Sequence, residues 1–451
     1  MPALLAPPRI HLEDLHVPAC PPHHARPVTL NRRGFLALLG GAGLSWPRAL
    51  EALASELAPG GGPEDEAFWR QVRSHFLIPR DRIYLNNGTL GPSPRAVLDA
   101  VAETERRVAA TYPPGVAWDD LKGAMASFVG GDPGGFVFPR NTTEGMNFVA
   151  GGLELAPGDK VVTTDHEHIG GLEPWRLVTA RRRAELVVAS LPVPAPSSEA
   201  LLEAVWERVE PGTRAVSVSH VTFTNGTVMP VAALARRCAD AGITMVVDGA
   251  HPPGMIAVDV AAIGADFYAS SPHKWMLAPQ GTGMLYMAPE WRERLWPIEA
   301  SGGWDDLSLG AQRFNHLGTI DESRLAGLLA AVGFLQAIGT SRIEARVRHL
   351  ASILRSGLEE IPGVRIVTPG APELSAAMVS FDVEGIASLD LQRHLARAAK
   401  VRTRVVSEYG YGWMRLSTHV YNLPGDVHRV LELIDVAARR GISAPGGSLG
   451  A

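Results

Sequence analysis

The chain contains very little lysine and almost no cysteine. Lysine occurs only four times in 451 residues, at Lys122, Lys160, Lys274 and Lys400, and arginine supplies the rest of the 42 basic residues. The two cysteines, Cys20 and Cys238, are too few for a disulfide framework or a thiolate metal site. The formal net charge of -5 provides no basic face, so no nucleic-acid partner is expected.

Length and composition predict a globular protein with more than one domain. Hydrophobic residues make up 46% of the chain and charged residues 20%, which is typical of ordinary globular proteins. A length of 451 residues exceeds the usual domain size of about 150 residues. The predicted organisation is a leader at 1–54, a segment with a linker at 55–82, a large domain at 83–325, and a small domain with its connecting helix at 326–451.

The amino-terminal leader has the parts of an export signal in their usual order. Arg32 and Arg33 precede the apolar run FLALLGGAGLSW, which is shorter than the roughly 20 residues that span a bilayer, and the small-residue triplet Ala52-Leu53-Ala54 follows. The paired arginines resemble a twin-arginine (Tat) signal. We therefore expect the Tat translocase to deliver the protein to the periplasm or the medium, with no transmembrane helix in the mature chain and a core that begins after the glycine-rich linker at 59–63. The alternative is an amphipathic first helix with two incidental arginines.

Short apolar strands alternate with helical segments from about residue 136 to residue 270. This alternation predicts an α/β fold with a mainly parallel sheet that helices cover on both faces. Helical patterns at 322–338 and 341–359, followed by shorter elements, predict a bridging helix and a small α+β domain. Because ligands bind at the carboxyl ends of the strands in such sheets, residues just after strands are the candidates for chemistry.

Polar residues after strands form four candidate sites. Asp248 ends the strand TMVVD, where a lone aspartate is usually a helix cap. Lys274 follows the strand ADFYAS, where a lysine either reaches the surface or needs a partner to be buried. Thr142 and Thr143 begin a helix, either as simple caps or as a cup for a phosphate. The fourth site contains side chains that would suit a metal: Asp165, His166 and His168.

Taken together, these sites match the requirements of pyridoxal 5'-phosphate (PLP). The aldehyde of this cofactor needs a lysine for a Schiff base, and its ring nitrogen needs a carboxylate. Lys274 and Asp248 supply these two groups. The hydroxyl pair at Thr142 and Thr143 suits the phosphate, and His168 suits the face of the ring. We therefore predict that Lys274 is the Schiff-base lysine.

Several longer motifs resemble the class V aminotransferases of fold type I, which include cysteine desulfurases, isopenicillin N epimerases and kynureninase-like enzymes. These motifs are YLNNGTLGPSP at 84–94, RNTTEGMN, TTDHEHIGGLEPW, VVDGAHPPG, SSPHKWMLAPQGTGMLY and MRLSTHVYNLPGDVHRVLE at 414–432. The resemblance is strongest to the isopenicillin N epimerase-like branch. It implies a seven-stranded sheet in a large PLP-binding domain, a small carboxy-terminal domain, and a homodimer with shared active sites.

The resemblance also implies a role for each matching residue. Arg415 would bind the α-carboxylate of the substrate in a planar bidentate pairing, with Arg402, Arg404 and Asn86 nearby. His251 would contact the phenolic oxygen of the cofactor, and Thr319 would reach the phosphate of the neighbouring subunit. The residues expected to bind the phosphate of their own subunit are Thr142, Thr143, Ser271 and His273.

One position departs from the desulfurase pattern. Cysteine desulfurases carry a nucleophilic cysteine shortly after the segment that resembles Val401-Arg402-Thr403, whereas this chain has Val405, Val406 and Ser407 there. Persulfide chemistry is therefore not expected. The predicted function is aminotransferase-like chemistry on an amino acid or an amino-modified peptide or siderophore-like metabolite.

Three alternatives remain open at the level of the sequence. The first is an epimerase or a C–S or C–C lyase on the same scaffold. The second is a catalytically silent PLP-fold binding protein, although the intact set of Lys274, Asp248 and Arg415 argues against it. The third is a metal hydrolase built on His166 and His168, which would need further ligands that the sequence does not offer.

Overall fold

The computed structural model describes residues 45–57, 60–111 and 116–442. Arg32 and Arg33, on which the export prediction rests, lie outside the described residues. The strands of the large domain form one seven-stranded sheet. Numbered along the chain after β1 (Ile83–Tyr84), they are β2 (Phe136–Val137), β3 (Lys160–Thr164), β4 (Glu185–Ala189), β5 (Thr213–Ser219), β6 (Thr244–Asp248), β7 (Phe267–Ser270) and β8 (Met284–Met287).

The order of strands across this sheet is β2-β8-β7-β6-β5-β3-β4. Strands β3 to β7 pair in parallel, and β8 runs antiparallel between β2 and β7. The predicted mainly parallel α/β fold is therefore confirmed. The sequence did not indicate β8, because it follows β7 without the intervening helix that marks the other strands.

The helices lie on the sheet and between the two domains. Numbered along the chain, they are α1 (Ser45–Glu56), α2 (Glu66–Ser74), α3 (Arg95–Thr111), α4 (Trp118–Val129), α5 (Thr142–Gly152), α6 (Ile169–Arg182), α7 (Ser198–Trp206), α8 (Val231–Ala241), α9 (Val260–Ile263), α10 (Glu322–Ile338), α11 (Thr340–Glu359), α12 (Ser388–Ala399) and α13 (Pro424–Arg440). Side-chain caps fix where several of them begin. At α5, for example, Asn141 Oδ1 accepts a hydrogen bond from the amide of Glu144 at 2.9 Å.

Helix α1 is part of the main hydrophobic core. Its side chains Leu50 and Leu53, together with Leu57 just after the helix, are almost completely buried in the cluster that also contains much of α10. The guanidinium of Arg342 donates to the carbonyl of Leu57 at 3.0 Å. The expectation that the core begins only after the linker at 59–63 is therefore wrong, because an apolar face of α1 packs before that linker.

The two domains meet within α11. Helix α10 belongs to the core of the large domain along its whole length, and the chain bends by 78° at Gly339, whose φ is +100°. The first half of α11 packs in the large domain through Val347, whereas Leu354 in its second half packs in the small domain. The structural boundary thus lies inside α11, later than the predicted boundary at residue 326.

The small domain is built from strands in the last part of the described chain, and β1, from an early part, pairs with one of them. Its strands are β9 (Val364–Ile366), β10 (Met378–Val383), β11 (Val401–Arg402), β12 (Arg404–Val406) and β13 (Trp413–Ser417). An antiparallel sheet has the order β12-β13-β10-β9, and β1 pairs in parallel with β11. Residues 83–84, predicted to open the large domain, therefore pair with the small domain and bring the turn after them to the cleft between the domains.

No single helix in the described ranges is long and apolar enough to cross a membrane, although the bent pair α10 and α11 passes the test of length and composition when taken together.

Candidate active site

Most of the predicted site residues line one cavity at the carboxyl ends of β6 and β7. The walls come from these strand ends, from the first residues of α5 and α6, and from β12 and β13 of the small domain. The predicted residues that line the cavity are Thr142, Thr143, His168, Asp248, His251, Ser271, His273, Lys274, Arg404 and Arg415. The structure therefore brings together positions that lie up to 273 residues apart in the sequence (from 142 to 415).

Lys274 occupies a turn just after β7, held by tight backbone contacts. A Cβ atom on Gly91 would lie 2.0 Å from the carbonyl oxygen of Lys274, so only glycine fits beside it. The residue is half-buried, and desolvation lowers the pKa of its amine to about 8, helped by the charges of Arg415 and Arg404 and opposed by Asp248. About a tenth of Lys274 is thus a neutral, nucleophilic amine at pH 7, far more than for a lysine with its ordinary pKa.

This lowered pKa predicts how the apoprotein captures the cofactor. The rate at which Lys274 forms its covalent link with added PLP should rise with pH and level off at about 8. Only the neutral amine attacks, so protonation limits the rate below that value. The change of absorbance with time, followed in separate mixtures at each pH, measures this rate.

The matched control for this prediction is Nα-acetyl-lysine mixed with PLP. Its amine has the ordinary pKa of about 10.4, so its rate should continue to rise well beyond the plateau of the protein. A protein profile that follows that of the free amine would show that burial does not lower the pKa of Lys274.

Asp248 ends β6 with its carboxylate buried under the start of α6. Its Oδ1 accepts a hydrogen bond from the amide of Ala250 at 3.0 Å, and a Cβ atom on Gly171 would lie 2.7 Å from its Oδ2. Burial raises its pKa, whereas the charge of Lys274 and the Ala250 amide lower it. A buried carboxylate that faces a cavity suits a protonated ring nitrogen, which would supply the opposite charge.

Two histidines line the cavity with defined tautomers. His168 Nδ1 accepts from the amide of Gly170 at 3.1 Å, and burial, followed by the charges of Lys274 and Arg415, lowers its pKa to about 4. Its ring is therefore neutral at pH 7. The edge-to-face contact with Phe223, at 5.1 Å between centroids, orients this flat ring.

His251 is oriented by an indole. Trp275 Nε1 donates to His251 Nδ1 at 3.0 Å, and burial keeps the pKa of His251 well below its usual value. The proton of the neutral ring is therefore on Nε2. That atom is buried and has no partner within the described chain. An orphaned donor at the wall of the cavity fits the phenolic oxygen expected from the resemblance.

The other end of the cavity has the features of an anion site. The amide of Thr142, at the start of α5, donates to Ser271 Oγ at 3.0 Å, and the two hydroxyl oxygens are 2.7 Å apart. The start of α6 approaches so closely that a Cβ atom on Gly170 would lie 2.2 Å from Thr143 Oγ1. Helix starts and hydroxyl groups favour a phosphate. His273 completes this end, with its Nδ1 3.1 Å from the carbonyl oxygen of Thr282.

Arg415 is a buried cation in β13 without a carboxylate partner in the described chain. Its guanidinium donates to the carbonyl of Phe223 and, at 3.3 Å, to Thr89 Oγ1, while its Nε has no partner there. Burial, followed by the charge of Arg404, lowers its pKa to about 9. Such a cation is costly unless an anion arrives, so Arg415 suits the carboxylate of a substrate.

Three predicted residues lie outside this cavity. The side chain of Arg402 is exposed on β11, opposite Tyr84 in the neighbouring strand. Asn86 lies behind the cavity, where its Oδ1 accepts from Thr89 Oγ1 at 2.8 Å. Thr319 is exposed at a different cavity, so its contact with a neighbouring subunit stays a prediction.

The sequence did not single out Thr89, which lines the cavity, or Glu167, which holds the lining residue Ser219. Thr89 lies between Arg415 and Asn86. Its hydroxyl accepts a hydrogen bond from the Arg415 guanidinium and donates one to Asn86 Oδ1. Glu167 is buried beside Ser219, whose amide and hydroxyl donate to its carboxylate at 3.0 and 2.6 Å. Burial raises the pKa of Glu167 to about 7, and Asp248 adds to this effect. Its place between two histidines in the sequence drew attention to a metal site instead.

The metal-hydrolase alternative gains no support from the placement of His166. Its Nδ1 lies 2.5 Å from Thr224 Oγ1, and its ring stacks on Tyr411 at 5.0 Å between centroids. In the part of the chain that the structure describes, no group of three or more histidine, cysteine, aspartate or glutamate residues is placed to hold a metal ion.

Comparison with known proteins agrees with this geometry. The profile of the family described as Aminotransferase class-V matches residues 115–430. The chain belongs to the class V aminotransferase family. This class V chain is 30% identical over 392 residues to isopenicillin N epimerase of Streptomyces clavuligerus, covering 82% of this chain and 98% of that protein. It is 31% identical over 389 residues to isopenicillin N epimerase of Amycolatopsis lactamdurans, covering 81% and 98%.

A solved structure shares the fold. The apo cysteine desulfurase of Thermococcus onnurineus NA1 superposes with a TM-score of 0.72 at 26% identity, covering 82% of this chain and 98% of that one. The present chain is thus a class V, fold type I enzyme whose cofactor is PLP. The unpaired His251 Nε2, the anion site at α5, and Lys274 with the buried Asp248 all fit that cofactor.

The cysteine of the desulfurases has no counterpart at this cavity. Cys238, the cysteine within the described residues, is fully buried in α8, and burial raises its pKa to about 12. The loop after β12 instead carries Tyr409, whose hydroxyl donates to the carbonyl of Glu167 at 2.6 Å. A thiolate nucleophile is therefore not available on that loop.

Proposed function

We propose that this class V enzyme transforms the Cα of an amino acid, or of an amino-modified peptide or siderophore-like metabolite, by an aminotransferase-type reaction. The observation that carries the proposal is the convergence of Lys274, Asp248 and Arg415 on one cavity. When bound, PLP supplies a sink for the electrons released at Cα. The residues of the chain hold the substrate and move its protons.

Each side chain has a distinct task in this proposal. Arg415 binds the α-carboxylate and thereby fixes which bond of Cα faces Lys274. Lys274, with its lowered pKa, removes the Cα proton as a general base and then donates a proton to a different atom. When PLP is bound, Asp248 would hold positive charge at the ring nitrogen. His168, neutral because of its burial, would cover the face of the ring without adding charge.

A second candidate is epimerisation, and one observation favours it. The relatives that are 30% and 31% identical to this chain are named isopenicillin N epimerase. A C–S or C–C lyase that needs no cysteine uses the same first step. A silent binding protein would not need the set of Lys274, Asp248 and Arg415.

Incubation of the enzyme with L-amino acids in deuterium oxide separates these outcomes. Transamination yields a 2-oxo acid, epimerisation yields the D-enantiomer with deuterium at Cα, and a lyase releases a fragment of the side chain. All three need exchange of the Cα proton or cleavage at Cα. An enzyme that binds amino acids without either event would be a silent binding protein and would contradict the proposal.

We also propose that the enzyme is exported through the Tat route, from the order of the parts in residues 31–54. The packing of α1 limits where the leader can be cleaved. Cleavage after Ala54 would remove Leu50 and Leu53 from the core, and each buried leucine stabilises the fold by about 1.5–3 kcal/mol. We therefore expect any processing to leave Leu50 and Leu53 in the mature chain.

Replacement of both Arg32 and Arg33 by lysine should retain active enzyme inside the cell. The charge is unchanged, so a purely electrostatic leader would still function, whereas a receptor that reads the arginine pair would not. Cell fractionation followed by an activity assay measures this, and mass spectrometry of the wild-type protein locates its first residue. Wild-type activity of the double variant in the periplasm would mean that the arginines are incidental.

A further inference from the structure

Arg404 places a second cation directly beside the carboxylate site. In the register of β12 and β13, Arg404 lies opposite Arg415, so their Cβ atoms are about 4.5–5.5 Å apart on the same face of the sheet. Both residues line the cavity. The charge of Arg404 contributes to the lowered pKa of Arg415, of Lys274 and of His168, so it acts on the whole site.

Two like charges directly opposite one another destabilise a sheet unless something compensates them. Glu408 compensates only in part. One of its oxygens, Oε1, accepts from Arg404 NH2, while Oε2 is buried and has no partner in the described chain. Among the described residues, the Arg404 guanidinium makes its hydrogen bond to Glu408. An arginine has five N–H donors, so Arg404 can keep Glu408 and still offer another edge to a ligand.

The charged residues of the cavity indicate how many carboxylates that ligand has. The phosphate end at α5 and the ring partner Asp248 account for the cofactor, and Arg415 accounts for one carboxylate. Arg404 remains as a second cation on the substrate side, in the strand next to Arg415. A substrate with a single carboxylate would leave that cation without a partner in the ligand.

We propose that Arg404 determines specificity by binding a second carboxylate, on the side chain of the substrate, so that the substrate is a dicarboxylic amino acid. This inference rests on the proposed function, because it takes Arg415 to hold the α-carboxylate. The two guanidinium groups are neighbours across adjacent strands, so the two carboxylates are separated by only a short chain, as in aspartate and glutamate. Glu408 keeps Arg404 oriented toward the cavity.

Equilibrium titrations of the holoenzyme test this inference. L-Aspartate and L-glutamate are compared with their neutral isosteres, L-asparagine and L-glutamine, and the absorbance of the bound cofactor reports the Kd. The wild-type enzyme should bind the dicarboxylates more tightly. Arg404→Gln should weaken dicarboxylate binding at least about tenfold more than amide binding, since the hydrogen bond to the side-chain carboxylate is lost only for the dicarboxylates, whereas the loss of the Arg404 charge affects both sets.

The matched control is Arg402→Gln. It removes the same charge from an exposed position two residues away, so it should leave both sets of Kd values unchanged. If Arg404→Gln does not fold, Arg404→Lys replaces it. This variant keeps the charge but loses the planar pair of donors, so it should weaken dicarboxylate binding and leave amide binding unchanged.

The outcomes distinguish this inference from the function on which it rests. Equal weakening for dicarboxylates and amides would place Arg404 on the α-carboxylate beside Arg415 and would overturn the inference. A wild-type enzyme that binds both sets equally would also overturn it but would leave the proposed function intact. A holoenzyme whose spectrum responds to none of the four amino acids would overturn the inference, and one that also responds to no amino-modified peptide would overturn the proposed function.

Discussion

Lys274→Ala is expected to abolish the cofactor absorbance that depends on a covalent link and to lower turnover by about 10²–10⁴-fold or more. Both effects have one cause, because the same amine forms the link and moves the Cα proton. The other lysines cannot replace it. None of them lines the cavity, and each pairs with an acid elsewhere: Lys122 with Asp119, Lys160 with Glu210 and Lys400 with Asp81.

The matched control is Lys400→Ala, which removes a lysine from the surface and should retain the absorbance and the turnover of the wild type. Borohydride reduction followed by peptide mapping provides an independent readout. The wild-type protein should carry the cofactor on the peptide that contains Lys274, and the variant should carry none. A reducible yellow adduct that persists in Lys274→Ala would show that another residue holds the cofactor.

Asp248→Asn is expected to leave PLP bound and to lower turnover by on the order of 10²–10³-fold. The amide oxygen of asparagine can still accept the hydrogen bond from Ala250 that Asp248 accepts at 3.0 Å, so the local turn is preserved. The negative charge that holds the ring nitrogen protonated is lost, and an unprotonated ring is a poor electron sink. Parallel measurements of turnover and of bound PLP give the result.

The isosteric change separates the two roles that the sequence left open for Asp248. A helix or turn cap needs only an acceptor, so a cap would be almost indifferent to asparagine. Unchanged turnover in Asp248→Asn would therefore identify Asp248 as structural. The pH profile adds a second readout. Asp248 raises the pKa of Lys274, so its replacement should shift the plateau of covalent capture of PLP to lower pH.

The sequence alone determined the fold and most of the cofactor site. Lys274, Asp248 and the hydroxyl pair at Thr142 and Thr143 each follow a strand of the large domain. The carboxyl ends of parallel strands meet at one edge of the sheet, so residues in those positions converge even though they are far apart in the chain. The sequence also proposed His168 for the face of the ring, and the structure places His168 at the cavity.

The extent of the core was decided by packing that a local pattern does not reveal. Helix α1 reads as part of a leader, yet Leu50 and Leu53 are buried with α10, which lies more than 250 residues later. Helix α11 has one continuous helical pattern, but its two halves pack in different domains. Burial depends on partners that are distant in sequence, so neither result follows from periodicity.

The substrate side of the site was decided by the tertiary structure as well. Arg402 and Arg404 look alike in the sequence, two residues apart in the segment VRTRVV at 401–406. The chain changes sheets at Thr403, so Arg402 pairs with β1 and is exposed, whereas Arg404 pairs with β13 opposite Arg415. The sequence therefore singled out Arg415, because the motif that carries it is local. Which of its two companions, Arg402 or Arg404, reaches the cavity depended on strand pairing between distant segments, which only the folded chain defines.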